Sequence, residues 1–234
     1  MKGKIIVIDG MDAVGKNTQS ILLCKKLQEQ GHKVKLFSFP NYQDDSSFFI
    51  KKFLNGEYKD INNPYTISLF YAVDRAITFI REIKEKYDQG YIIILDRYYI
   101  SSILYQLHNL KEYTDKMLYM QYIGIVEVEG NKLPIPDMTI ILYAQPEVSD
   151  RLLNKRYDND DSKRDINENI NTQRQVYNNI LFVDKFKNLT TIRKTFGDIV
   201  TINISDENYN GYNIKSINTI HDEIMDIAKD IIEK

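Results

Sequence analysis

The segment Lys4-Ile5-Ile6-Val7-Ile8-Asp9-Gly10-Met11-Asp12-Ala13-Val14-Gly15-Lys16-Asn17-Thr18 decides the fold. Ile5 to Ile8 is a short unbroken apolar run, the pattern of a strand buried on both faces. Behind it stand Gly10 and Gly15, separated by four residues, with Lys16 next in line. A segment of helical character follows at once, Gly15 to Gln30, closed by Gly31. Strand, glycine loop and helix in this order form a phosphate-binding loop. Its backbone N–H groups converge on a polyphosphate, and the helix turns the positive end of its dipole toward the anion. A glycine-rich turn with a solvated lysine is the competing reading, and the strand-loop-helix setting argues against it. Gly10, Ala13, Val14, Gly15, Lys16, Asn17 and Thr18 are the expected triphosphate ligands, with Lys16 an exposed side chain reaching the β- and γ-phosphates. Asn17 stands where such loops place Ser or Thr on Mg²⁺. Its amide oxygen is a hard ligand able to replace the hydroxyl, with Asp96 the second expected metal ligand; the alternative is a metal carried mainly by Asp96 and water. The loop alone suits an ATPase or a GTPase, so it fixes the cofactor class and not the reaction.

Working outward, four further apolar runs are bounded by turn or polar residues: Val34 to Phe39, Ile92 to Leu95, Met138 to Tyr143 and Ile199 to Ile204. Helical segments lie between them, notably Thr66 to Tyr87 before Gly90. Alternation of this kind predicts an α/β fold with a parallel sheet and helices on both faces. Ile217, Ile220, Ile224, Ile227 and Ile231 recur at spacings of three and four, so Ile214 to Ile232 reads as an amphipathic surface helix. Residues 107–132 resist assignment.

The chain has 234 residues, 43% of them hydrophobic and 27% charged, which is ordinary globular usage and predicts a single domain. Its 31 basic and 33 acidic side chains leave a net charge of -2, so no broad field attracts nucleic acid or an anionic membrane. Phosphate must be held by local geometry. The single Cys24 excludes an internal disulfide framework and reads as a small core residue. No secretory leader or long apolar span is recognisable, so a cytoplasmic location is expected. None of the three histidines has a partner at metal spacing.

Asp96-Arg97 closes the third apolar run, at the sheet edge where ligands bind. One supplies a carboxylate near a metal and the other a cation for a migrating phosphoryl group. Arg75 is a second candidate clamp, since its planar fork matches phosphate. The set Gly10-x-Asp12-x-x-Gly15-Lys16-x-Thr18-Gln19, Phe39-Pro40-Asn41-Tyr42, Phe70-Tyr-Ala-Val-Asp74-Arg75, Asp96-Arg97-Tyr98-x-x-Ser101-Ser102-x-x-Tyr105-Gln106 and Leu133-Pro-x-Pro136-Asp137 resembles the thymidylate kinase family. Five motifs in order are far more specific than any one of them.

The resemblance implies a P-loop NTPase-like three-layer sandwich with a five-stranded parallel sheet. It also implies transfer of the γ-phosphoryl group of ATP to dTMP with Mg²⁺, a step of dTTP biosynthesis, by a homodimer. Asp12 would meet the 3′-OH, Phe70 would stack on thymine, and Arg75 and Arg97 would hold the acceptor phosphate. Tyr105 would lie near the 2′ carbon and Gln106 or Ser102 near the base edge, with Phe39, Pro40 and Ser101 completing the acceptor site. Catalysis would rest on Lys16, Asp96, Arg97 and Arg164. The polar stretch Tyr157 to Asn169 reads from its residues as a solvated helix end or a flap; similar enzymes close a lid there, about 155–168. Ala13 replaces the arginine some family members carry after Asp12, so a lid cation is needed from Lys155, Arg156, Lys163 or Arg164, and Arg164 fits the pattern best. Alternative readings are a kinase for another nucleoside or its monophosphate, or a P-loop module that only binds nucleotide. Phe70, Arg75 and Tyr105 argue against the first, and Lys16, Asp96, Arg97 and the basic lid against the second.

Overall fold

A computed structural model describes residues 2–208 and 211–233. β1 (Lys4–Gly10), α1 (Lys16–Glu29) and β2 (Val34–Ser38) open the fold, followed by α2 (Phe48–Leu54) and α3 (Pro64–Thr78). A π turn at Phe79–Ile83 carries α3 into α4 (Lys84–Asp88), and β3 (Ile92–Asp96), α5 (Ile100–Gln106) and α6 (Tyr113–Gly124) come next. A second π turn, Ile125–Gly130, precedes β4 (Met138–Tyr143). Then come α7 (Pro146–Arg156), α8 (Ile170–Phe186), α9 (Thr190–Phe196), β5 (Asp198–Asn203), β6 (Ser205–Asn208), β7 (Gly211–Ile214) and α10 (Ile217–Ile232).

β1 to β5 form one parallel sheet in the order β2-β3-β1-β4-β5, as the alternation of runs and helices predicts. Ile5 to Ile8 are buried to 1% exposure or less because helices cover both faces of this central strand. β1 lies between β3 and β4, so the chain leaves the sheet in opposite directions on its two sides. That reversal opens a crevice at the carboxyl edge, where Ile8 pairs with Asp96 and Gly10 with Leu142. The phosphate loop and Asp96-Arg97 therefore meet at one place.

Several elements depart from the sequence expectation. The segment Thr66 to Tyr87 is α3, a π turn and α4. It starts earlier because the Asn63 side chain accepts hydrogen bonds from the backbone N–H groups of Tyr65 and Thr66, and Pro64 suits the first helical turn. α10 begins at Ile217, not Ile214, because Ser216 caps it through Thr219 N–H and Ile214 ends β7. The antiparallel pair β6–β7 was not legible in the sequence. Residues 107–132 contain α6 and its π turn. Cys24 is half-buried against the core rather than within it.

Candidate functional site

The phosphate loop is shaped by its backbone. Gly10 has φ +133°, and a Cβ there would fall 1.8 Å from the Leu142 carbonyl oxygen, so only glycine lets β1 and β4 pass this closely. Ala13 and Gly15 both adopt the left-handed region, with φ 59° and 90°, which turns successive N–H groups inward. Val14 is buried. Lys16 is not the exposed side chain expected: it is 7% exposed, and its ammonium donates to the Met11 carbonyl and lies 3.8 Å from Asp12. Burial, with Arg97 nearby, brings its pKa down to about 8. Thr18 and Asn17 stand exposed at the first turn of α1.

Asp12 links this loop to the rest of the site. Its carboxylate accepts from Arg97 at 2.5 Å and from the Gln173 amide at 2.9 Å, while its own N–H donates to Gln173 Oε1 at 3.1 Å. Burial works to raise its pKa, but Arg97 and Lys16 outweigh it and hold the carboxyl below the usual range. Arg97 sits at φ 69°, an uncommon conformation for a side chain of this size. The buried Asp9 braces that bend, accepting from Tyr98 N–H and from the Ser101 hydroxyl. The Arg97 guanidinium lies 5.2 Å over the Tyr105 ring, and the Tyr105 hydroxyl donates to the Gly10 carbonyl at 3.4 Å.

A cavity opens beside this cluster. Asp12, Arg97 and Tyr105 line its end at the phosphate loop, and Ser101, Ser102 and Gln106 line it from α5. Phe39 and Pro40 contribute from the end of β2, with Tyr42 beyond them. From α3 come Ile67, Ser68, Tyr71 and Arg75. The expectation for Phe70 needs correction, since Phe70 is not among the lining residues. Positions 67, 71 and 75 are four apart and share one helix face, whereas position 70 is turned away from it. There the Phe70 ring stacks on Phe49 at 5.7 Å and meets Phe53 and Tyr58. The aromatic ring that α3 contributes to the cavity wall is Tyr71.

The family model for thymidylate kinase matches residues 8–197. The chain belongs to the thymidylate kinase family. A thymidylate kinase of Caldicellulosiruptor saccharolyticus is 32% identical over 193 residues, covering 82% of this chain and 88% of that protein. A thymidylate kinase of Schizosaccharomyces pombe is 33% identical over 150 residues, covering 63% of this chain and 64% of that protein. The solved thymidylate kinase of Candida albicans superposes with a TM-score of 0.66 at 23% identity over 97% of this chain and 92% of its own, which shows a shared fold.

In this thymidylate kinase family member the Asn17 amide N–H donates to Asp96 Oδ2 at 3.2 Å. That leaves the Asn17 carbonyl oxygen and Asp96 Oδ1 without a hydrogen-bond donor among the described residues. Two hard oxygens at the mouth of a phosphate loop fit Mg²⁺, which takes one or two protein ligands and fills its octahedron with phosphate and water. Among the described residues no group of three or more His, Cys, Asp or Glu could hold a metal.

Residues 165–167 lie over the cavity. Asp165 and Asn167 line it, and Ile166 N–H donates to the Leu54 carbonyl at the end of α2. Arg164 does not reach the phosphate loop in this arrangement. Its guanidinium is held by Asp150 at 3.1 Å, Asn154 at 2.7 Å and the Glu168 carbonyl at 3.2 Å, because α7 presents a carboxylate and an amide one turn apart on the facing side. Arg156 pairs with Glu168 and Lys163 with Asp160, while Lys155 is exposed on α7. Asp165 is pushed up to about 6 by burial and by the neighbouring Asp12 and Glu168.

Sequence reasoning missed Tyr71, Gln173, Asp9 and Glu127, the last being the buried carboxylate paired with Arg75. The spacing of four before Arg75 marks Tyr71. Asp9 is a carboxylate ending an apolar strand, a polar residue where burial is certain. Gln173 and Glu127 carry no local signal.

Proposed function

We propose that this protein transfers the γ-phosphoryl group of ATP to dTMP, giving dTDP and ADP. One observation carries the reading: the phosphate loop and the acceptor cavity meet at one wall, because Asp12 of the loop lines the cavity and pairs there with Arg97. ATP then lies on Gly10, Ala13, Val14, Gly15, Lys16 and Thr18, with its terminal phosphate directed at that wall. Lys16, freed from Met11 by a phosphate, follows the migrating charge, and Arg97 neutralises the equatorial oxygens between donor and acceptor. Mg²⁺, held by Asn17 and Asp96, supplies charge neutralisation of the triphosphate when bound. No general base is required, since the acceptor phosphate is already anionic.

In the acceptor cavity Asp12 accepts from the 3′-OH, Tyr71 stacks on the base, and Ser102 and Gln106 meet its edge. Arg75 and Arg97 donate to the acceptor, with Tyr105 against the sugar and Phe39, Pro40 and Ser101 closing the pocket. Residues 155–168 act as the lid, and Arg164 turns from Asp150 and Asn154 toward the phosphates as the lid closes on ATP. We further propose a homodimer. Leu69, Val73, Ile80, Leu118 and Ile125 are 45% to 66% exposed, a concentration of large apolar side chains on α3, α6 and the π turns after them that suits a self-associating face. Among the described residues no helix is long and apolar enough to cross a membrane. A cytoplasmic enzyme acting on small molecules is the reading proposed, and a net charge of -2 gives no broad field for nucleic acid or an anionic membrane.

The test is ADP release in a coupled assay, with each common nucleoside monophosphate and with thymidine as acceptor. dTMP is expected to give the highest kcat/KM. A higher value for another acceptor, or no acceptor-dependent ADP, refutes the reading.

A further inference from the structure

The second π turn places a carboxylate where a core residue belongs. Met120, Ile123 and Glu127 follow one another at spacings of three and four, and all are buried, Glu127 to 0% exposure. Its partner is Arg75, 2% exposed. Arg75 Nε and Nη2 donate to the same oxygen, Oε1, at 3.1 and 2.5 Å, and Nη2 also donates to the Ser102 hydroxyl at 3.3 Å. Glu127 Oε2 is buried with no partner among the described residues. As a source of stability this is a poor arrangement: a fully desolvated ion pair is often matched by apolar residues of the same size, and an orphaned oxygen makes it worse. The bond does accomplish something else. It fixes one edge of a guanidinium that lines the acceptor cavity and leaves Nη1 without a partner among the described residues.

We propose that Glu127 is a positioning residue for the acceptor nucleotide, holding the Arg75 guanidinium in the one orientation that presents its free N–H groups to the cavity. The proposal rests on the reading of that cavity as the dTMP site. Arg75 is on α3 and Glu127 follows α6, so an arginine on a flexible stem is locked by a second element before ligand arrives. Its ordering entropy is settled in the empty enzyme and does not weaken binding. Aliphatic packing at position 127 would preserve the core and lose this function. The helical spacing from Met120 and Ile123 is what brings the carboxylate inward.

The test compares Glu127→Gln, Arg75→Ala and the double variant with the parent. The expected result for Glu127→Gln is a KM for dTMP raised about 10-fold or more, the scale of a lost hydrogen bond to a charged group, with kcat and the KM for ATP within about twofold. Because Glu127 acts through Arg75, the double variant should lose no more than Arg75→Ala alone. Should Glu127→Gln fail to fold, Glu127→Asp keeps the charge, shortens the reach and is expected to raise the same KM by a smaller factor. Losses that multiply in the double variant, a dTMP KM unchanged in the variant that folds, or equal changes in the KM for both substrates overturn the proposal. A parent enzyme that releases no ADP with dTMP overturns the substrate reading, and this proposal with it.

Discussion

Replacing Asp165 by asparagine should stabilise the protein more at high pH than at low pH. Asp165 lines the cavity that Asp12 also lines, and burial together with the Asp12 and Glu168 carboxylates pushes its carboxyl up to about 6 from an ordinary 3.8. A carboxyl raised on folding binds its proton more tightly in the native state. Its contribution to stability is complete below 3.8 and is lost as pH rises through about 6. At about 1.4 kcal/mol per pH unit the whole loss is about 3 kcal/mol, and about half has already occurred at pH 5. The substituted amide does not titrate, and its oxygen can still accept from Asn167 N–H, a bond of 2.7 Å in the parent. Between pH 5 and 8 the stability gap in favour of Asp165→Asn should therefore widen by about 1.5 kcal/mol. For a chain of this length that is about 3 to 6 °C in Tm. Thermal unfolding of both proteins by circular dichroism at pH 5, 6, 7 and 8 measures it, and any constant effect of the substitution cancels in the comparison. A gap that stays flat or narrows across this range refutes the assignment of a strained anion to Asp165.

Three further outcomes are expected. Tyr71→Ala should raise the KM for dTMP about 5- to 150-fold, the range of one lost base stack, whereas Phe70→Ala should lower Tm and leave that KM within about threefold; the reverse pattern would restore Phe70 to the site. Lys16→Ala should lower kcat on the order of 100-fold or more, and because the buried Met11 carbonyl loses its donor it should also lower Tm; turnover near that of the parent sinks the assignment. The parent should prefer dTMP to ribothymidine monophosphate by about 5- to 150-fold, since a 2′-OH pressed on the Tyr105 ring loses water without gaining a partner, and Tyr105→Ala should narrow the ratio while lowering kcat through the unsupported Arg97 guanidinium. An unchanged ratio of kcat/KM for the two acceptors in that variant places sugar selectivity elsewhere.

How much of this was legible in the sequence depended on whether the controlling physics is local. The three central strands were legible because a strand buried on both faces reads as a nearly unbroken apolar run, as at Ile92 to Leu95, whereas the edge strands β2 and β5 are only partly buried and showed through their β-branched and aromatic residues. The phosphate loop was legible because left-handed backbone at Gly15 and the contact of Gly10 with Leu142 demand glycine at fixed spacing. Residues 107–132 were opaque for the opposite reason. The π turn at Ile125–Gly130 breaks the period of 3.6 on which a helical reading depends, and a buried Glu127 looks like a solvated charge until its partner is known.

Phe70 and Tyr71 divide the two kinds of inference most clearly. A motif matched by letters selects Phe70, an aromatic ring at roughly the right distance from Arg75. A helix advances about 100° per residue, however, so only Tyr71, four residues before Arg75, can share its face. The periodicity was available in the sequence and outranks the letter. Gln173 lies beyond any such rule. It is separated from Asp12 by 161 residues, yet its amide both donates to the Asp12 carboxylate and accepts from the Asp12 N–H. The same amide donates to the Asn167 carbonyl, in the segment that covers the cavity. Nothing near Gln173 in the chain distinguishes it from a solvated helical glutamine. Its burial on α8 follows only from the sheet order, which brings the helices after β4 against the loop after β1. A residue that ties the phosphate loop to the segment over the cavity is thus fixed by topology, and topology is the level at which a single sequence is least explicit.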